Sequence, residues 1–155
     1  MMRLELVKDW MTRDVISIAP DTTLAEADRL LVEHTIRRLP VVENGRLIGI
    51  VTYGDIRSAK PSQASSLSVW EMNQFISRLQ AAEIMTPQPI TVSQESTIGE
   101  AAHIMLQNMI SGLPVVDANG TLVGIITESD IFRMVVHDWV RVQGKAPEPF
   151  AHYGS

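Results

Sequence analysis

The chain contains no cysteine. Disulfides, thiolate zinc sites and cysteine nucleophiles are therefore excluded, and the composition fits a reducing compartment. No apolar run approaches the roughly 18 residues needed to cross a bilayer. The first residues, Met1 to Asp9, mix charged with apolar side chains and lack the apolar core of a signal peptide. A cytoplasmic protein with no membrane association is the expectation. Charge of one sign never accumulates into a run, and the net charge is −5. A nucleic-acid binder normally needs a basic face to neutralise phosphates, so that class is disfavoured. The four histidines, His34, His103, His137 and His152, lack metal-ligand spacing. Glu128-Ser129-Asp130 lacks the flanking glycines of a nucleophile elbow and a placed histidine. No catalytic constellation is visible, and an enzyme is not expected.

What the sequence does contain is itself, twice. Met11-Thr12 returns as Met85-Thr86, and Thr23-Leu24-Ala25-Glu26-Ala27 as Thr97-Ile98-Gly99-Glu100-Ala101. Leu39-Pro40-Val41-Val42 returns as Leu113-Pro114-Val115-Val116. Gly49-Ile50-Val51-Thr52-Tyr53-Gly54-Asp55-Ile56 returns as Gly124-Ile125-Ile126-Thr127-Glu128-Ser129-Asp130-Ile131. A period of roughly 74 residues exceeds that of solenoids and suits one small supersecondary unit per copy. Such a unit is too small to be comfortably stable alone, so the two should bury apolar faces together.

Local signals agree between the copies. Val15-Ile16-Ser17-Ile18 and Ile90-Thr91-Val92 read as short strands. Thr23-x-x-Glu26 and Thr97-x-x-Glu100 have the form of capping boxes. The helices that follow carry apolar stripes, Leu24, Ala27, Leu30, Leu31 and His34 in one, Ile98, Ala101, Met105 and Met109 in the other. Strands follow at Leu39–Val42 and Leu113–Val116, with each proline expected at a strand start or on an edge. Asn44-Gly45 signals a type I′ hairpin, and Asp117-Ala118-Asn119-Gly120 a slightly longer turn. Returning strands at 47–51 and 122–126 lead into second helices opening near Thr52 and Thr127.

The fold class is α/β (α+β): two pseudo-symmetric repeats, each strand-helix-strand-strand-helix, packed face to face through their sheets. The first repeat spans 7–60, and 61–80 is a linker carrying a helix from Val69 to Leu79. The second repeat spans 81–143, and 144–155 is a frayed tail. The last helix is apolar over more than one face (Ile131, Phe132, Val135, Val136, Trp139, Val140), which predicts burial on several sides. Met105, Met109 and Met134 read as core, and Trp70 and Trp139 as packing or interface residues.

Thr52-Tyr53-Gly54-Asp55 sits where a strand becomes a helix, and Thr127, Ser129 and Asp130 occupy the same corner in the second copy. A helix start offers free amides and a positive dipole end to an anion. A threonine hydroxyl there can bond a phosphate or ribose oxygen, and a carboxylate one turn on can accept both ribose hydroxyls. Thr-x-x-Asp is equally a capping box, so this spacing supports two readings.

The quoted motifs, repeated at equivalent places in this frame, resemble CBS domains arranged as a tandem pair, or Bateman module. The resemblance covers roughly residues 7 to 137 and implies a free-standing regulatory, energy-sensing module. It implies that AMP, ADP, ATP or S-adenosylmethionine binds in clefts between the copies. It also implies assembly into a disc-like homodimer, which the apolar last helix with its Trp139 region suits, and modulation of a regulated partner protein. The alternative reading is a protein-interaction or oligomerisation module with vestigial clefts, which the last helix and the linker helix support. Family geometry places Arg37 and Arg38 beside a phosphate, and arginine suits that role because its guanidinium is a permanently charged fork of donors. Carried onto this chain, the resemblance implies a first cleft of Arg37, Arg38, Thr52, Gly54, Asp55, Ile90 and Thr91. A second, weaker cleft would comprise Val15, Ile16, Ser111, Gly112, Thr127, Ser129 and Asp130. Ser111-Gly112 stands where the first copy has Arg37-Arg38, so the first cleft is expected to be the better nucleotide site.

Overall fold

A computed structural model describes residues 5–60 and 66–144. In chain order the elements are α1 (Val7–Trp10), α2 (Leu24–Glu33), β1 (Arg38–Glu43), β2 (Arg46–Thr52), α3 (Tyr53–Ala59), α4 (Val69–Arg78), α5 (Ala81–Ile84), β3 (Thr86–Pro87), β4 (Val92–Ser93), α6 (Ile98–Asn108), β5 (Gly112–Val116), β6 (Leu122–Thr127) and α7 (Glu128–Gln143). Local chemistry accounts for the helix starts. The Thr23 hydroxyl accepts the Glu26 amide at 3.2 Å, and the Thr97 hydroxyl accepts the Glu100 amide at 3.1 Å. Each satisfies one of the orphan donors of a first turn. The reciprocal half of the first box is not made, because the Glu26 carboxylate is taken by Arg29. That hydrogen bond holds the Glu26 carboxyl below the usual carboxylate range.

Two three-stranded sheets form, ordered β1-β2-β3 and β4-β5-β6. The hairpin between β1 and β2 turns at Asn44 (φ 53°) and Gly45 (φ 79°), the positive values that a type I′ turn requires. In the second copy the Asp117 carboxylate accepts the amides of Asn119 and Thr121 and organises the longer turn. The leading strands are shorter than expected. Residues 15–17 form no ladder, and Ile18 makes only an isolated parallel bridge to Val41. Ile90 and Thr91 also lie outside the ladder, whose strand begins at Val92. Both prolines sit third in their strands rather than first. Pro40 is tolerated because its carbonyl faces outward to the Ile18 amide, at 2.9 Å. Its nitrogen points the same way, so the β1–β2 ladder loses no donor. Pro114 lies in the central strand of its sheet, but β4 pairs only with Val115 and Val116 and stops short of it.

In space the repeats exchange their leading segments. Val7 and Met11 are buried in one core with Val92, Ile98, Ala101, Met105, Leu113, Val115 and Ile126. Ala81 is buried in the other with Ile18, Leu24, Ala27, Leu31, Leu39, Val41, Val51 and Ile56. Each α1- or α5-type turn thus completes the core of the opposite repeat. Backbone pairing follows the same crossing: Thr12 bridges to Ile125 of β6, and Thr86 pairs with Ile50 of β2. Gly49 and Gly124 permit this. A Cβ on Gly49 would collide with the Met85 sulfur, and one on Gly124 with the Met11 sulfur. The helical linker is α4, as expected, and it caps on Ser68, whose hydroxyl accepts the Glu71 amide.

Three packing expectations are corrected. His34 ends α2 as an exposed C-cap rather than joining its stripe. Met109, in the left-handed conformation at the end of α6, is 92% exposed and is not core, whereas Met105 is buried and Met134 half-buried. The last helix is not buried on several sides: Phe132, Val135, Val136, Trp139 and Val142 are exposed. Only its inner side packs, with Ile131 and Met134 against the second core and the His137 ring edge-on to Trp10 at 5.4 Å. Trp70 is likewise exposed. The tail beyond Gly144 and residues 61–65 of the linker lie outside the described residues.

Candidate functional site

The two strand-to-helix corners are built alike. After each hairpin the first helical amide bonds back to the residue just before the copy's first hairpin strand. Tyr53 N–H donates to the Arg37 carbonyl (2.9 Å) and Glu128 N–H to the Ser111 carbonyl (3.0 Å). At the first corner Thr52 and Asp55 form a complete capping box. The Thr52 amide donates to Asp55 Oδ2 at 2.8 Å, and the Asp55 amide donates to the Thr52 hydroxyl at 3.1 Å. At the second corner Asp130 Oδ2 accepts both the amide (2.9 Å) and the hydroxyl (3.2 Å) of Thr127. The capping reading of Thr-x-x-Asp is therefore realised in both copies. It consumes one carboxylate oxygen in each and leaves the other.

The corners differ in what surrounds them. A cleft of about 600 Å³ opens at the second. It is lined by Thr12, Asp14, Val15 and Ile16 from the leading segment, by Thr35, Ile36, Arg37 and Arg38 ahead of and opening β1, and by Ser111, Ile125, Thr127, Glu128, Ser129, Asp130, Phe132 and Arg133 of the second repeat. This cleft groups the expected residues differently. Arg37 and Arg38 line the cleft of Thr127 and Asp130, together with Val15, Ile16, Ser111 and Ser129, rather than a separate cleft with Thr52, Gly54 and Asp55. Ile90 is 44% exposed and Thr91 half-buried, and neither lines this cleft.

The physical reason is a crossing at the centre of the molecule. The Arg38 side chain reaches over the junction and donates to the Ser111 hydroxyl at 2.5 Å. Its guanidinium lies against Gly112, where an added Cβ would stand 2.7 Å from Nη1. Ser111-Gly112 is thus the small counterpart that makes room for Arg38. Two arginines at this pseudo-symmetric position would compete for one space. Burial pulls the Arg38 guanidinium below its ordinary value, the neighbouring charge of Arg37 adds to this, and Glu128 opposes it. A partly desolvated guanidinium of this kind has much to gain from an anion.

Sequence reasoning missed the polar lining residues Thr12, Asp14, Thr35, Glu128 and Arg133 and the apolar ones Ile36, Ile125 and Phe132. Arg133 was open to inspection, since it lies one helical turn beyond Asp130. Its Nη1 donates to Asp130 Oδ1 at 2.6 Å. The Asp130 side chain is 5% exposed and that of Arg133 68%. Three guanidiniums and three carboxylates therefore line the cleft. No histidine lines it, and no cluster among the described residues could hold a metal ion. No helix among them is long and apolar enough to cross a membrane.

Comparison with known proteins agrees with this architecture. The family model of the CBS domain matches residues 7–62 and 81–137. An uncharacterized protein of Methanocaldococcus jannaschii, MJ1225, is 37% identical over 136 residues, covering 83% of this chain and 46% of that one. Its crystal structure superposes with a TM-score of 0.74 at 36% identity, over 87% of this chain and 49% of that chain. The present chain thus spans about half of that relative. The CBS domain pair of protein MJ0100, solved with 5′-methylthioadenosine and S-adenosyl-L-methionine, is 32% identical with a TM-score of 0.72, over 88% and 99% of the two chains. CBSX2 of Arabidopsis thaliana in complex with AMP is 29% identical with a TM-score of 0.74, over 87% and 98%. Two matched segments at the two copies of the internal repeat, on two three-stranded sheets with flanking helices, establish that the chain belongs to the CBS domain family.

Proposed function

We propose that this chain is a regulatory module that binds an adenosine ligand of the AMP, ADP or ATP class in the cleft at Thr127 and Asp130, and that occupancy modulates a partner protein. The observation that carries the reading is the convergence of Arg37, Arg38 and Arg133 on one inter-repeat cleft whose floor holds a near-buried carboxylate. Guanidiniums suit phosphate oxygens, and a carboxylate suits a ribose diol. Ile16, Ile36 and Ile125 supply the apolar surface that an adenine ring needs. CBSX2 holds AMP and the MJ0100 pair holds S-adenosyl-L-methionine, which supports an adenosine moiety. The arginines favour a phosphorylated ligand over the cationic sulfonium. Thr52, Gly54, Asp55, Ile90 and Thr91 would form the weaker site, without the arginines. The chain acts as a binder rather than a catalyst: no histidine lines the cleft, and the Thr127 hydroxyl that bonds Asp130 belongs to the helix cap.

A self-association surface belongs to the same reading. Phe132, Val135, Val136, Trp139 and Val142 run along one exposed stripe of α7, and a second copy would cover it as a homodimer. Calorimetric titration with AMP, ADP, ATP and S-adenosylmethionine tests the function. Saturable binding of an adenosine phosphate that is weakened by Asp130→Asn supports it. No heat from any of the four at millimolar concentration overturns it.

A further inference from the structure

The Asp130 carboxylate is not free to meet a ligand. Oδ2 is satisfied by the Thr127 amide and hydroxyl, and Oδ1 is held by Arg133 at 2.6 Å. With only 5% of its side chain exposed, Asp130 needs a counter-charge or equivalent donors whenever the cleft is empty. Arg133 meets that need from the rim, with a side chain 68% exposed and able to leave at small cost in packing. The first copy has Ser58 at the equivalent place, and no cation pairs with Asp55 among the described residues. The device is therefore confined to one of the two corners.

Resting on the cleft reading above, we propose that Arg133 is a displaceable counter-ion that makes this cleft select phosphorylated adenosine ligands over neutral ones. A ribose diol reaching Oδ1 must dislodge the guanidinium. Its two hydroxyls then replace the lost donors, so the buried carboxylate stays satisfied. The released guanidinium lies in the same cleft as Arg37 and Arg38 and finds a new partner in the phosphate. A neutral nucleoside breaks the same ion pair and offers Arg133 nothing in exchange. Selectivity thus comes from an exchange of partners, and Arg133 is a specificity-determining residue rather than an anchor for the sugar.

The test compares AMP with adenosine, which differ only by the phosphate, in titrations of the wild type, Arg133→Gln, Arg133→Lys and Asp130→Asn. Arg133→Gln should narrow the AMP-to-adenosine affinity ratio about tenfold, as expected for loss of one charge-assisted contact. AMP should weaken while adenosine holds or tightens, and Arg133→Lys should recover part of the ratio. An unchanged ratio in Arg133→Gln, or equal weakening of both ligands, overturns the proposal. If Asp130→Asn weakens AMP while the Arg133→Gln ratio stays put, only this inference fails. If AMP does not bind the wild type, or Asp130→Asn binds it unchanged, the cleft reading fails and takes this inference with it.

Discussion

Replacing Asp130 with asparagine separates two jobs that one carboxylate performs. As a cap it accepts the Thr127 amide at 2.9 Å, and an asparagine oxygen can do the same. The substitution removes the near-buried charge itself, so loss of the ion pair leaves no unpaired carboxylate behind, and Arg133 is already largely exposed to water. The free protein should therefore lose about 1 kcal/mol or less. As a ribose acceptor, the carboxylate makes two charge-assisted bonds that asparagine cannot match. Their loss should cost about 3 kcal/mol, or roughly a hundredfold in affinity. At a concentration one hundred times the wild-type Kd, AMP stabilises the folded state by about 2.7 kcal/mol. For a chain of this size that is a rise in Tm of roughly 5–11 °C. The same AMP concentration would then sit near the variant's Kd and contribute about 0.4 kcal/mol, a rise of about 1 °C. Thermal melts with and without AMP read both effects at once. An equal AMP-dependent rise in wild type and variant would show that Asp130 only caps its helix, and the ribose assignment would be wrong.

Other consequences of the structure are open to measurement. Val7→Ala should cost about 2 kcal/mol, since Val7 is fully buried in the second core, and amide exchange should quicken first in β5 and β6; quickening confined to β1 and β2 would refute the exchange of leading segments. Gly49→Ala and Gly124→Ala should each cost about 1–3 kcal/mol in denaturant melts, because the added methyl meets a methionine sulfur and the backbone carbonyl of Thr86 or Thr12; unchanged midpoints would show that those segments part easily. Val136→Asp with Trp139→Asp should lower the mass measured by light scattering while leaving the melting midpoint of the monomer nearly unchanged, since both side chains are about half exposed; an unaltered mass would place the interface elsewhere.

Much of the frame was legible because it depends on neighbours in sequence. Asn44-Gly45 makes its turn through its own φ angles, the hydroxyls of Thr23, Thr52 and Thr97 accept first-turn amides, and the Thr127 amide is capped by Asp130 three residues on. Repetition then implied two copies sharing one architecture. The stripe on α7 is exposed within the single chain: periodicity reports which residues are apolar, not which neighbour covers them.

By itself, the order of residues determined the repeat, the helix and hairpin punctuation, and the pairing of a threonine with an aspartate at each corner. Only the tertiary structure decided which corner receives the arginines. Arg38 crosses the centre to Ser111 because Gly112 leaves room for it, and α1 and α5 trade cores because each fills the hole left by the other. Such choices depend on space between segments distant along the chain, and excluded volume of that kind leaves no mark in local sequence.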